Sequence, residues 1–152
     1  MTQEWRLGEY IISTDKHRLD LAAIHSFLTS SYWAEGIPFE TVKISIEHSL
    51  NFGVYAAGKQ IGFARVITDY ATYAYIGDVY ILEEFRGKGL SKWLMQVIAD
   101  HPDLQDLRRW TLLTRDAHEL YRKTGFQEPQ NPERYMEKAH PDIYKRGMLL
   151  PY

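Results

Sequence analysis

Residues 81–91 read Ile-Leu-Glu-Glu-Phe-Arg-Gly-Lys-Gly-Leu-Ser and connect a run of β-branched and aromatic residues to an amphipathic segment. Glycine has no Cβ atom, so Gly87 and Gly89 allow the oxygens of a ligand to approach the main chain closely. A helix that follows would direct its partially positive N-terminus at the same place. Arg86 and Lys88 add positive charge. The stretch therefore predicts a turn that binds the phosphates of a cofactor.

The spacing of these glycines excludes two other kinds of phosphate-binding motif. The stretch lacks the Gly-x-x-x-x-Gly-Lys-Ser/Thr of nucleoside triphosphatases and the Gly-x-Gly-x-x-Gly of dinucleotide-binding folds. Neither nucleoside triphosphate hydrolysis nor hydride transfer is supported. Because Arg-Gly-x-Gly also occurs in ordinary tight turns, the choice between a binding loop and a plain turn depends on the surrounding elements.

The flanking sequence predicts strands on both sides of a single clear helix. Apolar residues recur at helical spacing from Leu90 to Ile98, which predicts a one-sided helix that ends before Pro102. Runs of β-branched and aromatic residues predict strands at 10–13, 52–56, 61–68, 73–82, 109–113 and 135–137. Further helices are predicted over residues 16–32, 38–50 and 117–124.

This order of elements predicts a mixed α/β (α+β) fold in which helices flank a central, mostly antiparallel sheet. At 152 residues the chain has the size of one ordinary domain. No repeat or linker-like run divides it. We expect a single domain over residues 1–152, with its core at about 10–137 and an irregular C-terminal tail at 138–152.

Composition narrows the classes of function. The absence of cysteine excludes disulfides, a thiolate metal site and a cysteine nucleophile. The six histidines are scattered without ligand spacing, so no metal is expected. A formal net charge of −2 gives no electrostatic case for nucleic acid or membrane as a partner. Residues 1–6 form no apolar leader and no run approaches about 18 apolar residues, so we expect a cytoplasmic protein.

A second motif follows the glycine-rich stretch after one predicted strand. Residues 117–126 read Ala-His-Glu-Leu-Tyr-Arg-Lys-Thr-Gly-Phe. They resemble the Leu-Tyr-x-x-x-Gly-Phe helix of the GNAT acyltransferase superfamily, and residues 86–91 resemble its acyl-CoA pyrophosphate loop, Arg/Gln-x-x-Gly-x-Gly/Ala. The resemblance in element order runs from about residue 10 to 137. It departs at Ser91, where the family usually has Gly or Ala, and at Thr114, where many members have an Asn that bonds the cofactor.

The resemblance implies that acetyl-CoA is the co-substrate and that its acetyl group, or another short acyl group, passes to a primary amine by direct attack. The family's sheet implies that the strand carrying Ile81 and Leu82 splays from its neighbour and pairs its backbone with the pantetheine arm. A backbone N–H there would also stabilise the oxyanion of the tetrahedral intermediate. Cofactor contacts are expected from Ile81, Leu82, Arg86, Gly87, Lys88, Gly89, Leu90, Ser91, Thr114 and Tyr121.

The resemblance also suggests residues for proton transfer. Periodicity alone favours Tyr121 as a core tyrosine, but the Leu-Tyr-x-x-x-Gly-Phe match gives it the place of the family's tyrosine, and it is predicted to protonate the departing thiolate. Asp78, on the strand before the glycine loop, is the candidate base. Tyr75, His118 and Glu35 are alternatives, and His118 is expected on the solvated side of its helix.

The connection between the first two helices usually forms one wall of the acceptor site in this superfamily. Here it contains Tyr32, Trp33 and Glu35, and we expect these residues and Tyr75 to contact the acceptor. Their rings would pack against an organic body and the carboxylate would attract a cationic amine. Helix capping and core packing would explain the same residues without an acceptor.

Two other classes of function remain open. A non-catalytic CoA-binding or protein-interaction module would keep the fold and bind acetyl-CoA without turnover. A nucleic-acid-binding domain would use the basic residues between 108 and 123, but no recognised reading module accompanies them. A small-molecule or peptide amine is therefore the expected partner, and homodimerisation is compatible with the family's habit of pairing through sheet edges or C-terminal segments.

Overall fold

The computed structural model describes residues 1–145. Within this range six strands form one sheet in the order β1-β2-β3-β4-β5-β6. The strands are β1 (Glu4–Leu7), β2 (Tyr10–Ser13), β3 (Leu50–Ala56), β4 (Lys59–Thr68), β5 (Tyr73–Ile81) and β6 (Arg109–Leu112). The helices are α1 (Leu21–Thr29), α2 (Phe39–Glu47), α3 (Leu90–Ala99) and α4 (His118–Arg122), and short 3-10 turns connect several elements.

The sheet is antiparallel from β1 to β5, and β6 alone runs parallel to its neighbour β5. The pairing of β5 with β6 starts at Tyr73–Arg109 and ends at Ile76–Leu112, whereas β5 continues to Ile81. The last part of β5 therefore has a partner only on its β4 side. This arrangement separates the two strand ends next to the glycine-rich loop.

Helices cover both faces of the sheet because both faces are apolar. On one face α3 buries Leu90, Leu94 and Ile98 against Phe52 and other residues of the main core. Full burial of a side chain of this size contributes about 1.5–3 kcal/mol. On the other face α1 and α2 pack through a second cluster that includes Phe63 of β4. The structure confirms the predicted mixed fold, with helices flanking a mostly antiparallel sheet.

The N-terminal edge of the sheet differs from the prediction. The core begins before residue 10, because β1 (Glu4–Leu7) forms a hairpin with β2 around Gly8. Gly8 has a φ of +57°, the left-handed conformation that tight turns favour. A four-residue strand that leaves most of its side chains exposed shows no burial pattern, which is why the sequence did not reveal it.

Other boundaries were also corrected. The helix predicted over 16–32 is a 3-10 turn (Lys16–Arg18) followed by α1, whose start is capped when Asp20 accepts a hydrogen bond from the Ala23 N–H. The strand predicted at 135–137 is wrong: the segment has no strand pairing and Met136 is 96% exposed. Its neighbouring prolines and glutamates leave no buried face for a strand. Of the tail at 138–152, residues 146–152 lie outside the described residues.

Candidate functional site

The glycine-rich loop joins the end of β5 to the start of α3. After a 3-10 turn at Glu83–Phe85, Gly87 and Gly89 take left-handed φ values of +80° and +78°. Gly89 precedes the first residue of α3, and no side chain caps that helix N-terminus. A Cβ atom at either glycine would meet nothing within 4 Å. The glycines are therefore required by the backbone conformation, and no side chain caps the first-turn N–H groups of α3.

A cavity of about 180 Å³ lies against this loop. Its lining comes from β5, the loop, the first turn of α3 and α4: Ile81, Phe85, Arg86, Gly87, Gly89, Leu90, Ser91, Lys92 and Leu120. Six of the residues predicted to contact a cofactor are in this set. Of the other four, Leu82 and Lys88 flank the lining residues in sequence, whereas Thr114 and Tyr121 lie on the far side of β6 in sequence.

The two basic side chains of the loop are held against the protein. Arg86 donates a hydrogen bond from Nε to the carbonyl oxygen of Ile81 at 2.8 Å, which ties the loop to the end of β5. The Nζ of Lys88 lies 5.5 Å from the ring centroid of Phe85, a cation–π distance. Both charges are therefore held close to the loop, where they would favour an anion at the helix N-terminus.

The segment after β6 places Thr114 and Tyr121. The hydroxyl oxygen of Thr114 accepts a hydrogen bond from the Ala117 N–H at 2.9 Å, so this side chain shapes the turn before α4. Tyr121 is half-buried in α4 and its ring packs edge-on against Phe126. Burial raises the pKa of Tyr121 above its usual value near 10. Its phenol is therefore protonated at neutral pH and able to donate a hydrogen.

The span of chain that builds this site matches a known family. Residues 48–128, from just before β3 to just after α4, match a family model described as "Acetyltransferase (GNAT) domain". That span contains the glycine loop, the separated end of β5 and Tyr121. The chain belongs to the GNAT acetyltransferase family.

Individual GNAT relatives agree with the assignment. A proposed GNAT-family acetyltransferase from Xanthomonas campestris pv. campestris has a crystal structure with a TM-score of 0.88 and 48% identity, covering 91% of this chain and 99% of that one. A proposed acetyltransferase from Gibberella zeae is 32% identical over 142 residues, with 80% of each chain covered. A third relative, from Clostridium acetobutylicum, shares the fold at 16% identity, a TM-score of 0.62 and coverage of 91% and 96%, and was solved with acetyl-CoA.

A β-bulge lies in the middle of β5, the strand of this GNAT domain that leads to the glycine loop. Arg65 of β4 pairs with Gly77, but Phe63, two residues earlier, pairs with Tyr80, so β5 carries one extra residue. Asp78 sits in the bulge with a φ of +55°, a left-handed value uncommon for a residue other than glycine. Bulges of this kind re-aim side chains and are frequent beside active sites.

The carboxylate of Asp78 has a partner at each oxygen. Oδ2 accepts a hydrogen bond from Nε of Arg65 at 2.8 Å, and both side chains of this ion pair are largely buried. Oδ1 accepts a hydrogen bond from Nε1 of Trp33 at 2.9 Å. The structure thus brings Asp78 into direct contact with Trp33, two residues predicted for different parts of the site.

Trp33 and Tyr32 stand at the rim of the site, in the α1–α2 connection. They are 42% and 52% exposed, and their rings meet edge-on at 5.1 Å. The guanidinium of Arg115, from the segment between β6 and α4, lies 3.8 Å from the ring centroid of Tyr32. The contact joins the α1–α2 connection to the segment that leads into α4. The sequence placed Arg115 among the basic residues of a possible nucleic-acid face, and did not reveal its contact with Tyr32.

The remaining predicted residues differ in how close they lie to this arrangement. Tyr75 is half-buried next to the bulge, and burial raises its pKa. Besides burial, which is the main cause, the charges of Tyr32, Asp116 and Tyr75 also raise the pKa of Tyr121. Glu35 is exposed and pairs with Lys145 at 3.7 Å. His118 is exposed, as its predicted position on the solvated side implied.

Two further observations concern other classes of site. Within residues 1–145, no three His, Cys, Asp or Glu side chains are grouped as a metal site would require. In the same range no helix has the length and apolar character needed to span a membrane.

Proposed function

We propose that this GNAT acetyltransferase transfers an acetyl group from acetyl-CoA to a primary amine by direct attack. The observation that carries the proposal is the loop at Gly87 and Gly89, which leads to the uncapped N-terminus of α3 and follows the end of β5 that has no β6 partner. Backbone N–H groups at a helix N-terminus suit the pyrophosphate of a CoA cofactor. An unpaired strand end beside it suits a ligand that offers amide groups to the backbone.

The residues around the loop fit acetyl-CoA by shape and charge. The backbones of Gly87 to Ser91 would hold the pyrophosphate, with Arg86 and Lys88 beside them. The end of β5, at Ile81 and Leu82, would contact the pantetheine arm. Bound there, the cofactor supplies an acetyl thioester. The hydroxyl of Thr114 is engaged by the Ala117 N–H, so Thr114 contributes by shaping the turn before α4.

The reaction requires one bond to form, one to break and one proton to move. The amine nitrogen attacks the thioester carbonyl carbon, an N–H of the β5 backbone stabilises the oxygen that becomes negative, and the C–S bond then breaks. Preorganised oxyanion donors contribute about 3–4 kcal/mol to such reactions. Tyr121 donates its phenolic proton to the departing thiolate. The proton that the amine loses, directly or through water, converts the Tyr121 phenolate back to a phenol.

Several side chains near the site are candidates to remove the proton from the amine. The sequence predicts Asp78 as the base from its place on β5, with Tyr75, His118 and Glu35 as alternatives. Uptake of a proton by Asp78 would disrupt a hydrogen bond to Arg65 or to Trp33. His118 is exposed on α4, and Glu35 is exposed and paired with Lys145. An attacking amine that reaches the site uncharged, or loses its proton to water, needs none of these groups.

The rim of the site favours an acceptor whose body is apolar or aromatic. Tyr32 and Trp33 present ring surface, whereas the carboxylates of Asp78 and Glu35 are each paired with a basic side chain. We propose a small-molecule or peptide amine of this character. A polyamine with several charges would find fewer unpaired carboxylates than the sequence suggested.

The proposal is tested in two steps with the full chain. First, the melting temperature is measured with and without acetyl-CoA; ligand at about 100 times its Kd stabilises the native state by about 2.7 kcal/mol, or roughly 5 to 10 °C at this size. Second, thiol release is followed with a panel of aryl-alkyl amines, polyamines and short peptides. A thermal shift without acceptor-dependent thiol release would instead identify a non-catalytic CoA-binding module. Absence of any shift would refute the cofactor assignment.

A further inference from the structure

The hydrogen bond between Trp33 and Asp78 points to a role for Asp78 that goes beyond the proposed function and rests on it. We propose that Asp78 is a positioning residue: anchored by Arg65, it fixes the indole of Trp33 and thereby the wall of the acceptor site. Asp78 then acts on the acceptor through Trp33, rather than by taking a proton from the amine. The bulge in β5 would then serve to direct the Asp78 side chain toward Trp33.

The backbone of Asp78 gives the first argument. A side chain at a left-handed φ of +55° costs free energy, and such strain persists only where the surroundings hold it. Here the bulge turns the carboxylate to a position where both oxygens find donors. Without the extra residue in β5, the alternation of the strand would place residue 78 differently. The strained backbone therefore directs this carboxylate toward its two donors.

Arg65 gives the second argument, because it explains why a carboxylate stands here. Its Nε donates to Asp78 and its Nη1 donates to the hydroxyl of Ser49 at 3.1 Å, at the end of α2. Ser49 in turn donates to the carbonyl oxygen of Ser45 at 2.6 Å. The chain of contacts thus links the end of α2 through β4 and β5 to Trp33. A buried charge needs such partners, and removal of one is costly.

Trp33 gives the third argument, because it stands at the exposed rim of the site, where few contacts hold its ring. Its connection between α1 and α2 includes exposed residues, and the indole is half in solvent. Its ring contacts Phe27 of α1 at 6.2 Å and Tyr32 at 5.1 Å. Aromatic contacts of this kind tolerate a range of ring angles, whereas the hydrogen bond from Nε1 to Asp78 is directional. The hydrogen bond to a charged group is therefore the contact that sets the orientation of the indole.

The test compares the variants Trp33→Phe and Asp78→Asn with their double variant. Trp33→Phe removes the N–H donor and keeps an aromatic ring; Asp78→Asn removes the charge that pairs with Arg65. Trp5→Phe is the matched control, since Trp5 lies in β1 at the opposite edge of the sheet and contacts Phe52 and His101. For each protein we would measure KM for the amine, KM for acetyl-CoA, kcat and the pH–rate profile.

Positioning predicts a specific set of changes. Trp33→Phe and Asp78→Asn each lower kcat/KM for the amine about tenfold or more, the size expected for a hydrogen bond to a charged group, and the double variant is little worse than either. The KM for acetyl-CoA and its thermal shift stay at the wild-type values. The pH–rate profile of Asp78→Asn keeps the shape of the wild type, and Trp5→Phe retains wild-type kinetics.

Three results would overturn the proposal. Loss of one limb of the pH–rate profile in Asp78→Asn, with wild-type behaviour of Trp33→Phe, would make Asp78 the base. Equal kinetics for Trp33→Phe and Trp5→Phe would remove Trp33 from acceptor binding. The indole N–H signal of Trp33 in ¹⁵N NMR, assigned by its absence in Trp33→Phe, needs no turnover; an unchanged signal in Asp78→Asn would show that the carboxylate does not hold the ring. That signal also separates this proposal from a failure of acetyl transfer itself.

Discussion

Replacement of Gly89 by alanine separates the backbone requirement of the loop from its binding role. A Cβ atom at Gly89 would meet no atom within 4 Å, so the cost of the substitution is conformational and not steric. An L-residue in the left-handed region costs about 1–2 kcal/mol. Alanine also lowers the conformational entropy of the unfolded chain, which offsets about 0.4–1 kcal/mol of that cost. We expect the free energy of unfolding to fall by about 1 kcal/mol, and the melting temperature by about 2–4 °C.

Gly58→Ala is the matched control for this change. Gly58 has a φ of +79°, against +78° for Gly89, and a Cβ there would also meet nothing within 4 Å. It belongs to the turn between β3 and β4 and does not line the cavity at the loop. Both variants should therefore lose similar stability, as measured by thermal or urea unfolding of the ligand-free proteins.

Acetyl-CoA should distinguish the two variants. In Gly58→Ala the cofactor should still raise the melting temperature by the wild-type amount. In Gly89→Ala the displaced loop should present its N–H groups less well, and the affinity for acetyl-CoA should fall about tenfold or more by titration calorimetry. If the two variants bind acetyl-CoA equally and lose equal stability, the left-handed glycine is only a feature of the turn, and our account of the loop is refuted.

Three further outcomes follow from burial and charge. Tyr121→Phe should lower kcat at least tenfold and leave the Kd of acetyl-CoA nearly unchanged, because it removes only the phenolic proton; unchanged turnover would exclude Tyr121 as the acid. Burial lowers the pKa of His101 below 6.5, so stability should be lost as pH falls below 6.5, and His101→Asn, which can still accept from the Asp103 N–H, should lose that pH dependence in thermal melts between pH 5 and 7. Leu94→Ala should cost about 2–5 kcal/mol in urea unfolding, since Leu94 is fully buried, and a midpoint equal to the wild type would contradict its place in the core.

The cofactor half of the site was predictable from sequence because it is local. Glycines at fixed spacing, the helix that follows and the Leu-Tyr-x-x-x-Gly-Phe motif all lie within residues 81–126. Local spacing determines the turn and the start of α3. The structure places Gly87 and Gly89 in left-handed conformations, which suit a tight turn, and the close approach of a ligand to them stays a prediction. The assignment of each cofactor contact still rests on the predicted set.

The acceptor half could not be read in the same way, because its contacts join distant segments. Trp33 and Asp78 are 45 positions apart, and Asp78 and Arg65 are 13 apart. No local spacing records such pairs. One signal was available: Arg65 is a charged residue in a strand that is otherwise mostly apolar, and a buried charge requires a partner. The carboxylate it pairs with was predicted as a base from its strand alone.

The proposed cofactor-binding and acceptor-binding segments lie in separate parts of the chain, which affects how they can be recombined between proteins. The α1–α2 connection, which we propose as the acceptor wall, precedes in the chain the whole segment proposed to bind the cofactor. It meets the later part of the chain through the hydrogen bond between Trp33 and Asp78 and through the packing of Arg115 on Tyr32. A segment of this length is easily replaced by recombination or directed evolution without disturbing the glycine loop. We expect such a graft to retain acetyl-CoA binding. We expect it to acquire a new acceptor preference only when residues 33 and 78 are exchanged together, because the second positions the first.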